Sequence, residues 1–375
     1  MTKKSPATTG LSALLCASAA LATTAVSAQQ VTLYGIVDAA VEHVSNVGAA
    51  GASITRMPTA TTGLPSRWGM RGTEDLGGGL KTVFTLESGF GSDSGVLNQG
   101  GRMFGRQAFV GLSGNWGTVA LGRQYTMLFW SLLDADVIGP MTFSLGSLDN
   151  YLPNARADNA LSYRAKFSDL SIGASYSFGR DTANPVPNNP GGTNCGGEVA
   201  NDSSACREWS VMAKFDQANW GIAAALDQLN GGAGSWTALG LTSSALSDKR
   251  TTVNGYVKFG GLKIGAGLVH RNNEGSATTP RSDLYFIGAS YPVTPAFVVD
   301  AQYSQLKFKD SGNKALMGVL RGTYNLSKTT AVYAAAGRIN NDGTLAISVS
   351  GGAGGSNPLA GGSQTGLVTG VRVIF

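Results

Sequence analysis

The sequence predicts an all-β fold, a sixteen-stranded antiparallel transmembrane β-barrel, and three observations lead to it. Apolar and polar residues alternate with a period of two in many short segments. No apolar run beyond residue 28 is long enough for a spanning helix, and short and long connecting segments follow each other in strict turn. Alternation of this kind is typical of strands whose two faces meet different surroundings.

The composition agrees with a wall that meets lipid on one face and water on the other. The chain has 375 residues, of which 53 are Gly, 42% are hydrophobic and only 14% are charged. Its mean hydropathy is +0.02, as expected when an apolar and a polar register are averaged. The apolar content is too high for a disordered chain, and the glycines lack the three-residue period of collagen.

The alternation is clearest in the segment 31–43. Leu33, Val37 and Val41 share one face of the predicted strand, whereas Asp38 lies on the other face. The same pattern returns near the end of the chain. Each such segment is about ten residues long, which is the length of a tilted membrane-spanning strand.

Two kinds of connector separate these segments. Seven are tight, near 75–79, 114–117, 167–170, 217–220, 260–261, 292–295 and 325–328. Eight are longer, at about 44–65, 91–104, 126–157, 180–206, 230–248, 272–281, 309–313 and 341–363. Fifteen connectors imply sixteen strands, with short periplasmic turns on one side and long extracellular loops on the other. Closure into a barrel also removes the unpaired strand edges that lipid does not tolerate.

The first 28 residues have the layout of a secretory signal peptide. Lys3 and Lys4 precede an Ala/Leu-rich segment, and small residues lead up to Ala28. We expect cleavage after Ala28, which leaves 29–375 as a single barrel domain. A membrane anchor is the alternative, but the apolar segment is shorter than the roughly 20 residues that a spanning helix needs.

Charge gives little reason to expect a nucleic-acid partner. The formal net charge of +5 falls to +3 after cleavage, because the remaining chain has 26 basic and 23 acidic residues. Lysines and arginines do not cluster among aromatic residues, so nucleic-acid binding is not predicted.

Two cysteines remain beyond the signal peptide, Cys195 and Cys206. Both lie in or next to a stretch rich in Pro, Gly and Asn. In an exported protein an even pair within one loop predicts a disulfide. Two free thiols and a metal site are the alternatives, although no His lies nearby to complete a metal site.

Catalytic patterns are sparse. The only histidines, His43 and His270, fall on the apolar register near strand ends, where an interfacial position is expected. A Ser–His site on a lipase-like barrel is the enzymatic alternative, and neither histidine has a flanking motif for it. The sequence has no dinucleotide fingerprint, phosphate-binding loop or His/Cys metal spacing beyond residue 28. We therefore predict no enzyme, no cofactor and no metal.

Four segments resemble the first five strands of Gram-negative general porins, with the β-proteobacterial members most similar. They are VTLYGIVD at 31–38, SRWGMRGTEDLGGGL at 66–80, RQAFVGL at 106–112 and TVALGRQ at 118–124. The chain also ends in Phe375, which resembles the C-terminal assembly signal of such porins. The resemblance extends over 29–375.

This resemblance implies a homotrimer of barrels in the outer membrane, with lipid, lipopolysaccharide and the outer-membrane assembly machinery as partners. In each barrel the third long loop, here 126–157, folds inward and narrows the channel. Acidic residues on the loop face arginines on the wall, and Asp134, Asp136 and Asp149 are the candidates here. A Pro-Glu-Phe-Gly-Gly motif that enterobacterial relatives have in this loop is absent, which leaves the acidic positions open.

The arginine side of the predicted constriction has five candidates. Arg67 and Arg123 resemble the wall arginines of the second and fifth strands of the family. Arg71 shares a face with Arg67, Arg106 opens the fourth strand, and Arg164 lies in the sixth. A charged side chain on the lipid face at mid-membrane costs about 2–4 kcal/mol, so these residues are expected to line the pore. The alternative for each is a solvated charge at a strand end.

The leading functional hypothesis is a water-filled channel for passive diffusion of small hydrophilic solutes and ions. Five candidate arginines against three loop aspartates predict a mild preference for anions. A substrate-specific channel on the same scaffold is the first alternative. The second is a surface interaction protein that uses its long loops, among them the cysteine-bearing loop 180–206.

Overall fold

The computed structural model of the chain describes residues 30–181, 195, 197, 199–233 and 240–375. The signal peptide expected over 1–28 lies outside the described residues. Within them the chain forms seventeen strands. They are β1 (Gln30–Val47), β2 (Ala52–Arg56), β3 (Arg67–Gly77), β4 (Leu80–Gly89), β5 (Gln107–Gly114), β6 (Gly117–Tyr125), β7 (Arg156–Phe167), β8 (Leu170–Ser177), β9 (Glu208–Asp216), β10 (Trp220–Asn230), β11 (Ser247–Phe259), β12 (Leu262–Asn273), β13 (Arg281–Pro292), β14 (Phe297–Phe308), β15 (Lys314–Asn325), β16 (Thr330–Asp342) and β17 (Ser363–Ile374).

Sixteen of these strands form the closed antiparallel wall that the sequence predicts. From β3 to β17 each strand pairs with the next. The first strand closes the barrel, because its middle part pairs with β17 and its beginning pairs with β3. The short β2 pairs with the C-terminal end of β1, and the two strands form a hairpin. Closure gives the strands a hydrogen-bonded partner on both sides, as a membrane barrel requires.

The connectors alternate in length as predicted. Seven turns of two to four residues join β3 to β4, β5 to β6, β7 to β8, β9 to β10, β11 to β12, β13 to β14 and β15 to β16. Gly78 and Gly79 in the first of these turns both have positive φ, which a side chain would disfavour. The long connectors lie at the opposite end of the barrel. The third of them, between β6 and β7, contains α1 (Met127–Leu132), α2 (Leu145–Leu148) and a 3-10 turn at Leu152–Asn154.

The two registers of the wall differ in exposure. Outward apolar side chains such as Leu121, Ile287 and Leu320 are more than half exposed, whereas their strand neighbours Phe286 and Val319 are buried inside the barrel. An outward apolar band around a closed barrel is the surface that faces lipid. Among the described residues no helix is long and apolar enough to cross a membrane.

Candidate functional site

The third loop lies inside the barrel, against the inward register of the wall. Ala135 and Phe143 of the loop are buried. A β-carbon at Gly265 of β12 would clash with the backbone of Ala135, and one at Gly366 of β17 would come within 2.5 Å of the Phe143 ring. The absence of side chains at these glycines therefore leaves the space that the loop occupies.

Asp149 binds the wall strand β11 through a bidentate ion pair. Its Oδ2 accepts a hydrogen bond from Arg250 Nε at 2.8 Å, and its Oδ1 accepts one from Arg250 Nη2 at 3.2 Å. Arg250 is almost fully buried and also pairs with Asp248 at 3.0 Å. Burial alone raises the pKa of Asp149, but the positive charges of Arg250 and Arg271 outweigh it and lower the pKa to about 2. Asp149 is thus a charged anchor for the loop.

Asp134 and Asp136 also have partners in or near the wall. Asp134 forms an ion pair with Lys214 of β9. Asp136 accepts a hydrogen bond from the backbone N–H of Gly139 at 3.2 Å. Burial raises the pKa of Asp136, and hydrogen bonds from Gln302 and Gly139 only partly oppose this shift. Asp134 and Asp149 are therefore paired with basic residues of β9 and β11 rather than with Arg67 or Arg106, and Asp136 lines a small pocket with Phe129 and Leu133.

Two of the predicted arginines meet on the inward face around one carboxylate. Arg106 Nε lies 2.7 Å from Glu87 Oε1, and Arg67 Nε lies 3.6 Å from Glu87 Oε2. Tyr34 donates its hydroxyl hydrogen to the same Oε2 at 3.0 Å. Two guanidinium groups share a single carboxylate, so this part of the wall carries a net positive charge.

Tyr125 links this group to the third loop. Arg106 and Arg156 each donate a hydrogen bond to the Tyr125 hydroxyl at 2.6 Å. The ring of Tyr125 stacks on Phe129 of α1, with ring centroids 3.8 Å apart. An aromatic surface therefore lies directly beside the cationic one. Sequence reasoning missed Arg156, because it placed this residue within loop 126–157, whereas β7 begins at Arg156.

Arg71 and Arg164 also point inward, and both cover aromatic rings. The Arg71 guanidinium lies 5.3 Å from the centre of the Tyr34 ring, and Arg71 is exposed. The Arg164 guanidinium lies 4.2 Å from the centre of the Trp130 ring in the third loop. Arg164 therefore supports the loop from the wall, and its charge is partly covered by that ring.

Arg123 has a different position. It lies opposite Ala108 in the β5–β6 pairing, next to a register shift that follows Gly122. Its Nη1 pairs with Asp158 Oδ1 at 2.7 Å, and its Nε donates to the Gly105 carbonyl at 2.7 Å. Arg123 is buried in this network and is not among the residues that line the central cavity described next.

A cavity of about 740 Å³ separates the cationic wall from the third loop. Arg67, Glu87, Arg106 and Tyr125 line it on the wall side. The third loop contributes uncharged residues: Phe129, Leu133, Pro140, Met141, Ser144, Gly146, Ser147, Asn150, Pro153 and Asn154. The cavity is therefore charged on one side, and the opposite side is neutral within the described residues.

The last long loop, 343–362, also folds into the barrel and lines this cavity, which sequence reasoning missed. Val349 is fully buried in the apolar core that the third loop forms with the wall. Ser350 donates to Glu42 Oε2 at 2.9 Å, and Glu42 pairs with Arg56 at 2.6 Å. The buried Glu42 carboxylate of β1 thus joins Arg56 of β2 to Ser350 of the last long loop.

Other missed residues hold the third loop in place. Arg321 of β15 donates to the Ile138 carbonyl at 2.8 Å and pairs with Asp300 at 2.8 Å. Arg250 and Lys214 are the wall partners of Asp149 and Asp134. Arg321, Arg250 and Lys214 all lie within strands. A charged residue at an inward-facing strand position is the sequence pattern that could have predicted them.

The predicted disulfide between Cys195 and Cys206 is confirmed, with an S–S distance of 2.04 Å. Phe375 exchanges two backbone hydrogen bonds with Gly35, at 2.9 and 3.1 Å, and its side chain is exposed on the barrel. Its role as an assembly signal stays a prediction.

The histidines lie near the ends of their strands, as expected. His43 Nδ1 is 2.9 Å from Thr55 Oγ1, and His270 Nδ1 is 2.6 Å from Asp283 Oδ1. Across the described part of the chain, no three His, Cys, Asp or Glu side chains group together as a metal site.

Comparisons with known proteins agree on one family. A family model described as Gram-negative porin matches residues 7–344. The chain is 34% identical to outer membrane porin protein 32 of Delftia acidovorans over 97% of this chain and 98% of that protein. It is 31% identical to an outer membrane porin protein of Bordetella pertussis over 72% and 75% of the two chains. Among solved structures, an anion-selective porin from Comamonas acidovorans superimposes with a TM-score of 0.75 at 28% identity, over 92% of this chain and all of that one.

Proposed function

The chain belongs to the Gram-negative porin family, and we propose that it forms an outer-membrane channel for passive diffusion of small hydrophilic solutes and ions, with a mild preference for anions. The single observation that carries this proposal is the cavity inside the closed barrel, bounded on one side by Arg67 and Arg106 and on the other by uncharged loop residues. The solute's own gradient supplies the driving force. The chemistry of the family is transport rather than catalysis.

The preference for anions follows from how the charges are paired. Glu87 is the carboxylate shared by Arg67 and Arg106, so one positive charge remains uncompensated there. Asp149 is engaged with Arg250, and Asp134 shares Lys214 with Asp216; neither Asp134 nor Asp149 lines the cavity. A net positive potential in a narrow passage raises the local concentration of anions and lowers that of cations. The similarity to a porin described as anion-selective supports the same sign.

The five predicted arginines divide by position in this proposal. Arg67 faces the permeating ion at the cavity, and the buried Arg106 adds its positive charge from behind it. Arg71 and Arg164 add positive potential along the inner wall. Arg123 is paired with Asp158 and does not line the cavity, so its effect on the permeating ion is indirect.

The proposal includes a homotrimer, contacts with outer-membrane lipid and lipopolysaccharide, and delivery by the outer-membrane assembly machinery. Membership of the Gram-negative porin family supports these partners. The outward apolar side chains, such as Ile287, suit a lipid surface.

Purified protein in planar bilayers and in liposomes tests the proposed function. We expect stepwise ohmic conductance in KCl, and liposome swelling in neutral sugars that slows as the sugar grows. A protein that inserts into the bilayer as a folded barrel but conducts no ions would contradict the proposal.

A further inference from the structure

We propose that the central cavity binds organic monoanions with an apolar body, such as aromatic carboxylates, in preference to small hydrophilic anions of the same charge. This inference rests on the proposed channel function and names the solute class that its narrow passage favours. The observation behind it is the chemistry of the loop side, where an apolar face lies opposite the cationic wall.

The apolar face consists of four loop side chains, Phe129, Leu133, Pro140 and Pro153. Leu133 is 44% exposed although it lies inside the barrel. The exposed part of the Leu133 side chain is not buried on folding, and its contact with water is unfavourable. A solute with an apolar body removes that surface from water when it enters.

The cationic side supplies the second half of the site. Arg67 keeps about a quarter of its side chain exposed to the cavity, whereas Arg106 is buried against Glu87 and Tyr125. A carboxylate in the cavity therefore meets Arg67 as the accessible donor, with Arg106 behind it. Arginine presents several N–H donors in a planar fork that fits a carboxylate.

An aromatic ring lies between the two halves. Phe129 stacks on Tyr125, and Tyr125 is held by hydrogen bonds from Arg106 and Arg156. The ring of Phe129 is therefore fixed beside the cationic group. A flat aromatic solute can place its carboxylate toward Arg67 and its ring toward Phe129 and Leu133, because all three residues line one cavity.

The neutral loop also explains why this class is favoured over polar zwitterions. A zwitterion needs a carboxylate opposite the arginines to receive its positive end. Glu87 is the carboxylate that lines the cavity, and Arg67 and Arg106 already share it. Asp134 and Asp149 do not line the cavity, and Asp136 lies in a smaller adjoining pocket, so the positive end of a zwitterion gains little in the cavity itself. A monoanion with an apolar body leaves no such charge unpaired.

Single-channel recording with benzoate, acetate and benzyl alcohol tests the inference. Each compound is titrated into a constant KCl background, and the concentration that halves the chloride current is measured. We expect benzoate to act at roughly a tenfold lower concentration than acetate, because burial of part of one ring provides about that factor. Benzyl alcohol, which has the ring without the charge, is expected to act more weakly than benzoate.

Two variants assign the effect to the cavity. Leu133→Asn is expected to lower the ratio of the acetate to the benzoate half-blocking concentration by about threefold or more, because it removes much of the apolar contact. Leu359→Asn is the matched control, since Leu359 is similarly exposed but does not line the cavity. We expect its ratio to equal that of the native protein.

Equal half-blocking concentrations for benzoate and acetate in the native channel would overturn the inference, as would an unchanged ratio in Leu133→Asn. Benzyl alcohol acting as strongly as benzoate would also overturn it, because the arginine contact would then contribute nothing. These failures are distinct from failure of the proposed function, in which chloride current itself is missing.

Discussion

Asp149 Oδ2 lies 2.8 Å from Arg250 Nε, and this contact joins the third loop to strand β11 across 101 residues of sequence. The arginine is nearly inaccessible to solvent, and its second partner is Asp248. The pair therefore fixes the position of the loop that bounds the passage, rather than facing the permeating solute.

Removal of the Asp149 charge should loosen the third loop. In Asp149→Asn the hydrogen bonds to a charged group weaken, at a cost of about 1.5–3 kcal/mol. We expect more frequent brief closures in single-channel recordings at neutral pH. The control is Asp310→Asn, which alters the exposed pair with Arg281 and should leave closures unchanged. Equal closure rates in both variants and the native channel would show that the pair does not hold the loop.

The same pair predicts a pH dependence of the native channel. The pKa of Asp149 is lowered to about 2 in the folded protein, below its ordinary value of 3.8. A lowered pKa means that the charged form stabilises the fold above the ordinary value, and this stabilisation is lost as the pH falls toward 2. Closures should therefore become more frequent between about pH 4 and pH 2 in the native channel. Asp149→Asn should lack this component, and a pH response of equal size in that variant would contradict the assignment.

Arg67 should carry most of the anion preference. Arg67→Gln removes one positive charge at the cavity. A unit charge at about 7 Å in water shifts the energies of an anion and a cation by about 0.6 kcal/mol each, in opposite directions. The anion-to-cation permeability ratio should therefore fall by about sevenfold at low salt and by about twofold near 0.15 M salt, where screening weakens the charge. The combined replacement of Arg67 and Arg123 should shift selectivity toward cations in the same direction. Because Arg123 is paired with Asp158 away from the cavity, Arg123→Gln alone should have a smaller effect. Reversal potentials in a KCl gradient measure all three variants, and a ratio unaltered in Arg67→Gln would remove this residue from the constriction.

The disulfide should stabilise its loop without shaping the passage. Cys195 and Cys206 are 11 positions apart, and closing a loop of this size stabilises the folded state by up to about 3 kcal/mol. With both cysteines replaced by Ser, we expect faster protease cleavage within loop 180–206 and unchanged conductance. Conductance that falls together with protease resistance would instead make the disulfide part of the channel's support.

The lipid-facing register has its own test. Ile287 is outward and 55% exposed, and Arg at such a position costs about 2–4 kcal/mol at the membrane centre. The folded fraction of Ile287→Arg in lipid vesicles, measured by heat-dependent gel mobility, should fall markedly. Leu326→Arg is the control, since Leu326 is similarly exposed but lies in a turn outside the strands. Equal folding of the two variants would argue against the outward register.

The sequence predicts the strands of the barrel wall better than it predicts the loops that fold inside the barrel. Period-two alternation and turn residues such as Gly78 act locally, so the strands and connectors could be placed from neighbouring residues alone. The pairing of Asp149 with Arg250 depends on two segments that meet only after the barrel closes. The inward fold of loop 343–362 depends in the same way on Val349 packing against the core around Phe143.

The arginines illustrate the same division. Arg67 and Arg106 are inward as the cost of a charge in lipid predicts, and both line the cavity. Arg123 follows the strand pattern in sequence, but the register shift after Gly122 and its partner Asp158 set its position. No local pattern reports a register shift of this kind, because it arises from pairing between strands.

The reversal potential of the native channel in a KCl gradient measures whether the cationic wall sets the ion preference of the channel. We expect a potential whose sign shows that chloride is more permeant than potassium, by a modest factor that decreases at high salt as screening grows. A potential of opposite sign, with potassium clearly more permeant, would contradict the assignment of the passage to a cationic wall facing a neutral loop.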